Sequence, residues 1–323
     1  MERRKKRRRN FNVEPTASLL VQEVIADLGN SAQPLRNSRL VGLSNLNSAE
    51  LEILEQAWAS IEPQRRQQII HRLVEMAEDN FELNFDGIFR NCLKDQDAEV
   101  RSKAIEGLWE SEDASLIDPL VNLLEQDSSE NVQAAAATAL GKFAMLAELE
   151  KLHSRYISKI CLALLGVIDD KNRVVEVRRR ALEAAAPLSL LEVEKAIRKA
   201  YQSRNRDLQI SAIYAMGNSG NQEWLPILLR ELSSADAEIR YEAAGACGEL
   251  GEGEAIPYLI GLIGDPDTEV QVATLRALGK IGGSKAKECL QQCLGNPREV
   301  IHQAAEQALY ELEAEENPFT FKI

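Results

Sequence analysis

The chain has 323 residues, 45% of them hydrophobic, 28% charged and only 5% aromatic, with a formal net charge of −13. That hydrophobic content suffices for a packed core and excludes wholesale disorder, and no stretch approaches the ~20 consecutive apolar residues of a membrane helix. Five cysteines with no CxxC pair and no secretory signal point to a reducing cytoplasm.

In chain order, the sequence opens on a basic run, ERRKKRRRN. Residues 1–10 hold seven basic groups and Glu2, net +6, so the other 313 residues sum to −19. Such a run cannot pack into a core, and residues 1–46 read as a flexible basic arm with one short helix near Leu19 to Leu28. Arg3, Arg4, Lys5 and Lys6 are its candidate anion contacts. Residues 47–84 predict a capping helix pair. Asn47 and Glu50 have capping-box spacing, Pro63 opens the next helix, and Ile69, Ile70, Leu73, Val74 and Ala77 give that helix one apolar face. A solenoid needs such an end unit with a polar outer surface. Residues 314–323 are left as a tail.

Between 85 and 313 the sequence repeats. The starts are Val100-Arg101-x-x-Ala104, Val132-Gln133-x-x-Ala136, Val177-Arg178-x-x-Ala181, Leu208-Gln209-x-x-Ala212, Ile239-Arg240-x-x-Ala243, Val270-Gln271-x-x-Thr274 and Ile301-His302-x-x-Ala305. From Val177 on, successive starts are 31 residues apart, the signature of a stacked solenoid. Each unit predicts two helices. The second is apolar at offsets 0, 4, 7, 8 and 11 from the start, one face of a 3.6-residue period. Pro119, Pro226 and Pro257 suit the first turn of the first helix. Gly217, Gly248, Gly251 and Gly279 fall near the ends of second helices, where a left-handed cap is expected. Between Val132 and Val177 the interval is 45, and the 14 extra residues, about Phe143 to Tyr156, predict a lengthened helix and turn.

The segments DPDTEVQVATLRALGKIG (265–282) and ADAEIRYEAAGACGELG (235–251) resemble HEAT repeats, in particular the short bacterial repeats named after phycobilisome lyases. The resemblance implies an all-α, right-handed α-solenoid, a superhelix of stacked antiparallel helix pairs. It implies no particular activity, because repeats of this kind serve unrelated roles.

Little chemistry accompanies the fold. His71, His153 and His302 lie in different units, and none forms the His-Glu pairs that HEAT-repeat hydroxylases of the deoxyhypusine type carry as iron ligands. Cys289 and Cys293 are four apart, but two thiolates with no third ligand make a poor zinc site. No catalytic residue, metal or cofactor is expected. Residues 171–206 form a basic island of net +6, with Arg178 and Arg180 as further candidate anion contacts. A nucleic-acid-associated protein using the arm and this island stays open as an alternative, as does a lyase-like enzyme handling a tetrapyrrole.

The leading expectation is a non-catalytic, monomeric, cytoplasmic scaffold binding another protein or peptide in the concave groove of the solenoid. With offsets 0, 4, 7, 8 and 11 buried, 100° per residue turns positions at about offsets 2 and 6 toward that groove. These are Arg179 and Glu183, Ser211 and Tyr214, Tyr241 and Gly245, Val272 and Arg276. Of these, Arg179, Glu183, Tyr214, Tyr241 and Arg276 are the candidate contacts, since tyrosine and arginine are the side chains that interfaces favour as anchors.

Overall fold

The computed structural model describes residues 15–30 and 33–316, so Arg3, Arg4, Lys5 and Lys6 lie outside the described residues. Among those described there are helices and no strands, in two compact units that divide between Ser111 and Glu112. The division falls inside the span read from sequence as one continuous solenoid.

The first unit holds α1 (Pro15–Gly29), α2 (Asn37–Leu40), α3 (Ser48–Trp58), α4 (Pro63–Asp79), α5 (Asp86–Cys92) and α6 (Ala98–Gly107). The helix expected near Leu19 to Leu28 is α1, and it buries Val24, Ile25 and Leu28. The Asn47–Glu50 capping box forms, with both reciprocal hydrogen bonds in place at the start of α3. Pro63 opens α4, whose buried face is Ile69, Ile70, Leu73 and Val74. Large side chains fill this core: Phe85 and Phe89 meet edge to face at 6.3 Å between centroids. A buried ion pair joins Arg66 to Asp95 at 3.0 Å.

The second unit alternates first and second helices. The pairs are α7 (Ile117–Gln126) with α8 (Glu130–Glu148), α9 (Ser154–Asp169) with α10 (Val175–Ala185), and α11 (Leu191–Tyr201) with α12 (Arg206–Asn218). Then come α13 (Leu225–Glu231) with α14 (Ala237–Leu250), α15 (Ile256–Gly261) with α16 (Thr268–Ile281), and α17 (Ser284–Cys293) with α18 (Glu299–Glu316). The second helices pack on one another along the stack far more extensively than the first helices do. They therefore form its tight, inner layer.

Backbone approach explains that tightness. A Cβ on Gly217 would stand 2.6 Å from the Ala246 Cα, one on Gly248 2.8 Å from the Ala277 Cα, and one on Gly279 2.9 Å from the Ala308 Cβ. Each glycine sits at offset 9 of one second helix and meets the alanine at offset 7 of the next. This corrects the capping expectation: of the four glycines singled out, only Gly251, with φ 72°, is a left-handed cap. The other three are helical and serve close packing.

A second repeated device fixes each unit's turn. The polar residue at offset 1 reaches back to a main-chain carbonyl at the preceding turn. Arg101 donates to Asp95 O at 2.7 Å, Gln209 to Ser203 O at 2.8 Å and Arg240 to Ser234 O at 2.8 Å, and Gln133 and Gln271 bond the carbonyls of Asp127 and Asp265. His302 does the same through Nδ1 to Leu294 O at 2.8 Å. Asp97, Asp236 and Asp267 then cap the second helices.

The 14 extra residues lengthen one helix, α8, to 19 residues as expected, and the following helix α9 is long as well, at 16. The end of α8 is a Schellman closure: Lys151 N–H bonds Leu146 O and Glu150 N–H bonds Ala147 O. Glu150 holds the left-handed position at φ 57°, where glycine is the usual residue.

Candidate functional site: a groove on the inner layer

One helix of the inner layer is short. α10 ends at Ala185, and Pro187, which has no N–H to continue a helix, follows two residues later. Its neighbours α8 and α12 run on past this point. The missing last turn leaves a groove of about 520 Å³. Thr138, Lys142 and Met145 of α8 line one side, and Ile210, Tyr214 and Asn218 of α12 the other. Arg179, Arg180 and Glu183 form its floor with Pro187, and Glu242 of α14 closes it.

The floor is a closed polar network. Glu183 Oε1 accepts from the hydroxyl of Ser211 at 2.5 Å, and Glu183 Oε2 accepts from Arg180 at 2.9 Å. The Arg179 Nε donates to the same serine oxygen at 2.9 Å, and both arginines also pair with Glu176. Both Glu183 carboxylate oxygens thus have partners. Glu242 has no hydrogen-bond or ion-pair partner among the described residues. Burial, then the neighbouring Glu183 and Glu238 carboxylates, push its pKa up to about 7, against a smaller opposing effect of Arg179. Burial and nearby carboxylates, Glu183 first, also raise the Tyr214 hydroxyl above its usual value.

The groove brings together Arg179, Glu183 and Tyr214 from the candidate contacts, with Tyr214 41% exposed. Tyr241 and Arg276 are exposed on the same layer but outside this groove. Two inward positions read from sequence prove buried instead. Ser211 lies at offset 3 and is sealed under the Arg179–Glu183 network, and Val272 packs in the core. Glu242, Lys142 and Met145 were missed. Lys142 and Met145 continue the offset-6 row to offsets 10 and 13 of the lengthened α8, so the insertion itself carried that signal.

The basic island is largely engaged within the chain. Arg178 donates to Ile168 O at 3.0 Å, which is the repeat's carbonyl contact rather than an open cation. Arg173 bonds Leu124 O and Glu125 O, Lys199 pairs with Asp169 at 2.5 Å, and Arg206 grips Asp236 and Glu238. The Arg198 guanidinium lies 4.6 Å from the Trp224 ring centroid. Among the described residues no group of three or more His, Cys, Asp or Glu side chains is placed to hold a metal ion, and no helix is long and apolar enough to cross a membrane.

Together, the paired helices, the inner layer and the repeated turns define an all-α solenoid of the armadillo and HEAT kind. More particularly, the family model described as HEAT repeats matches residues 88–159 and 225–310. A chain of a Kap95:Nup1 complex is similar at 12% identity and a TM-score of 0.51, over 90% of this chain and 46% of that one. YibA of Escherichia coli is similar at 15% identity and a TM-score of 0.41, over 93% and 99%. Human deoxyhypusine hydroxylase, in complex with glycerol, is similar at 18% identity and a TM-score of 0.35, over 93% and 99%. At these identities the likeness concerns the fold alone. No curated protein matches the chain in sequence.

Proposed function

We propose that this protein is a non-catalytic interaction scaffold whose inner layer, at the groove between α8, α10, α12 and α14, holds a segment of a partner protein. The observation that carries this reading is the groove itself. It interrupts an otherwise close-packed helix layer, and it presents an exposed tyrosine, aliphatic surface and an unpaired carboxylate on a rigid, networked floor. Sites of this composition suit protein anchors, which combine broad contact with a few placed polar groups. The repeats are of the short type, on the strength of the 31-residue interval. A cytoplasmic location fits the five free thiols, four of them buried.

A pull-down from the native host tests the reading with two variants of the full chain. Tyr214→Ala with Tyr241→Ala removes inner-layer aromatics, whereas Leu162→Ala with Tyr258→Ala removes exposed side chains of first helices. Partners held by the unsubstituted chain are expected to be lost from the first variant and kept by the second, with melting temperatures unchanged. The reverse pattern rejects the groove.

A further inference from the structure

Resting on the groove as a partner site, a more specific chemistry follows from its charges. The charged groups that line the groove or act on Glu242 can be placed among the described residues. From α10, Arg179, Arg180 and Glu183 satisfy one another, with Glu176 and Ser211. On α8, the Lys142 ammonium lies 5.1 Å from the centroid of the Phe143 ring. On α14, Glu238 is taken by Arg206, and Glu249 by Lys280 of α16; Arg276, also on α16, is exposed and outside the groove. The Tyr214 hydroxyl of α12 stays protonated far above neutral pH. Glu242 has neither a hydrogen bond nor an ion pair among the described residues, and the α12 wall beside it offers the Tyr214 ring and the aliphatic Ile210. A ring face attracts a cation, and an aliphatic wall accepts a methylene stem. An anionic ligand would instead meet an unpaired carboxylate and arginines already committed.

We propose that the groove recognises its partner protein through one inserted lysine or arginine side chain, whose stem lies along Ile210 and Tyr214 and whose charge pairs with Glu242. Because Glu242 has a pKa raised to about 7, an incoming cation must draw off its proton at neutral pH. Binding therefore weakens as pH falls from 8 to 6, the window in which the carboxylate protonates.

Fluorescent pools of twelve-residue peptides, degenerate except for a central Arg, Glu or Leu, are the probes, titrated onto the full chain and its variants. The expected result is that the Arg pool binds the full chain about ten-fold more tightly than the Glu pool. Glu242→Gln abolishes that preference, Glu249→Gln leaves it intact, and the preference declines from pH 8 to 6. A preference for the Glu pool, an Arg preference that survives Glu242→Gln, or binding of no pool overturns the proposal. If the three pools bind alike and all weaken in Tyr214→Ala, the groove stands as a partner site and only its cation preference falls. If no pool responds to Tyr214→Ala, both readings fall.

Discussion

Two stretches of the inner layer are built from the same repeat and differ in one respect. From α12 to α18 every junction brings a glycine of one helix onto an alanine of the next, and the backbones touch. Between α10 and α12 that junction is missing, because Ala186 stands where the glycine would be and the helix has already ended before Pro187. The first stretch is closed at its backbone junctions. The second opens into the groove. A solenoid of this kind thus gains a site by relaxing its packing rule once, while the rule elsewhere keeps the walls in place.

The sharpest way to break the comparison is to place a charge in the closed stretch. Ala243 is fully buried, and Ala243→Glu must either desolvate a carboxylate or protonate it. We expect loss of cooperative unfolding or of soluble expression, whereas Glu313→Ala, at an exposed ion pair with Lys287, should change stability by less than ~0.5 kcal/mol. Next in size is the buried ion pair that joins consecutive units, where Arg240 grips both oxygens of Asp265 at 2.8 Å. Asp265→Ala strands the guanidinium and should cost about 3–5 kcal/mol in denaturant unfolding.

The glycine junctions come third. Gly217→Ala places a methyl 2.6 Å from backbone and should destabilise by about 1–3 kcal/mol, while Gly245→Ala, with nothing within 4 Å, should stabilise by up to about 1 kcal/mol. If the two changes had equal effects on melting, close approach would not be the reason for the glycines.

The open stretch carries the pH-dependent effect. The folded-state pKa of Glu242 is raised above its unfolded value, so the folded chain holds more protons between about pH 4.5 and 7, and stability falls as pH rises through that window. Glu242→Gln should therefore raise stability at pH 8 by about 1–2 kcal/mol and leave it nearly unchanged at pH 4. A smaller gain belongs to the insertion: Glu150→Gly relieves a left-handed residue at the end of α8 and should add about 0.5–1 kcal/mol.

Much of this architecture is legible in the sequence because backbone contact tolerates few residues. The offset-4 and offset-7 alanines and the 31-residue interval are direct imprints of helices that touch, and they place the units without a structure. The first unit is less legible, since bulky residues such as Phe85, Ile88 and Phe89 fill its core and many different side chains could do so. Part of the groove could be read as well. Arg179, Glu183 and Tyr214 follow from helical geometry, because their offsets alternate with buried ones. Glu242 does not, because its place in the groove depends on where α10 stops, a tertiary fact that no periodicity in α14 records. Nor does a helical wheel reveal that Arg178 is turned back onto Ile168 O and is not open to solvent.

The central claim is that the partner lies in the open stretch of the inner layer. It is tested most directly by photo-crosslinking in the native host, with a benzophenone side chain placed at position 214 in one chain and at position 258, on the exposed face of α15, in another. The account predicts a discrete adduct from position 214 that disappears when Tyr241 and Glu242 are also replaced by alanine, and none from position 258. A discrete adduct from position 258 with none from 214 would contradict it.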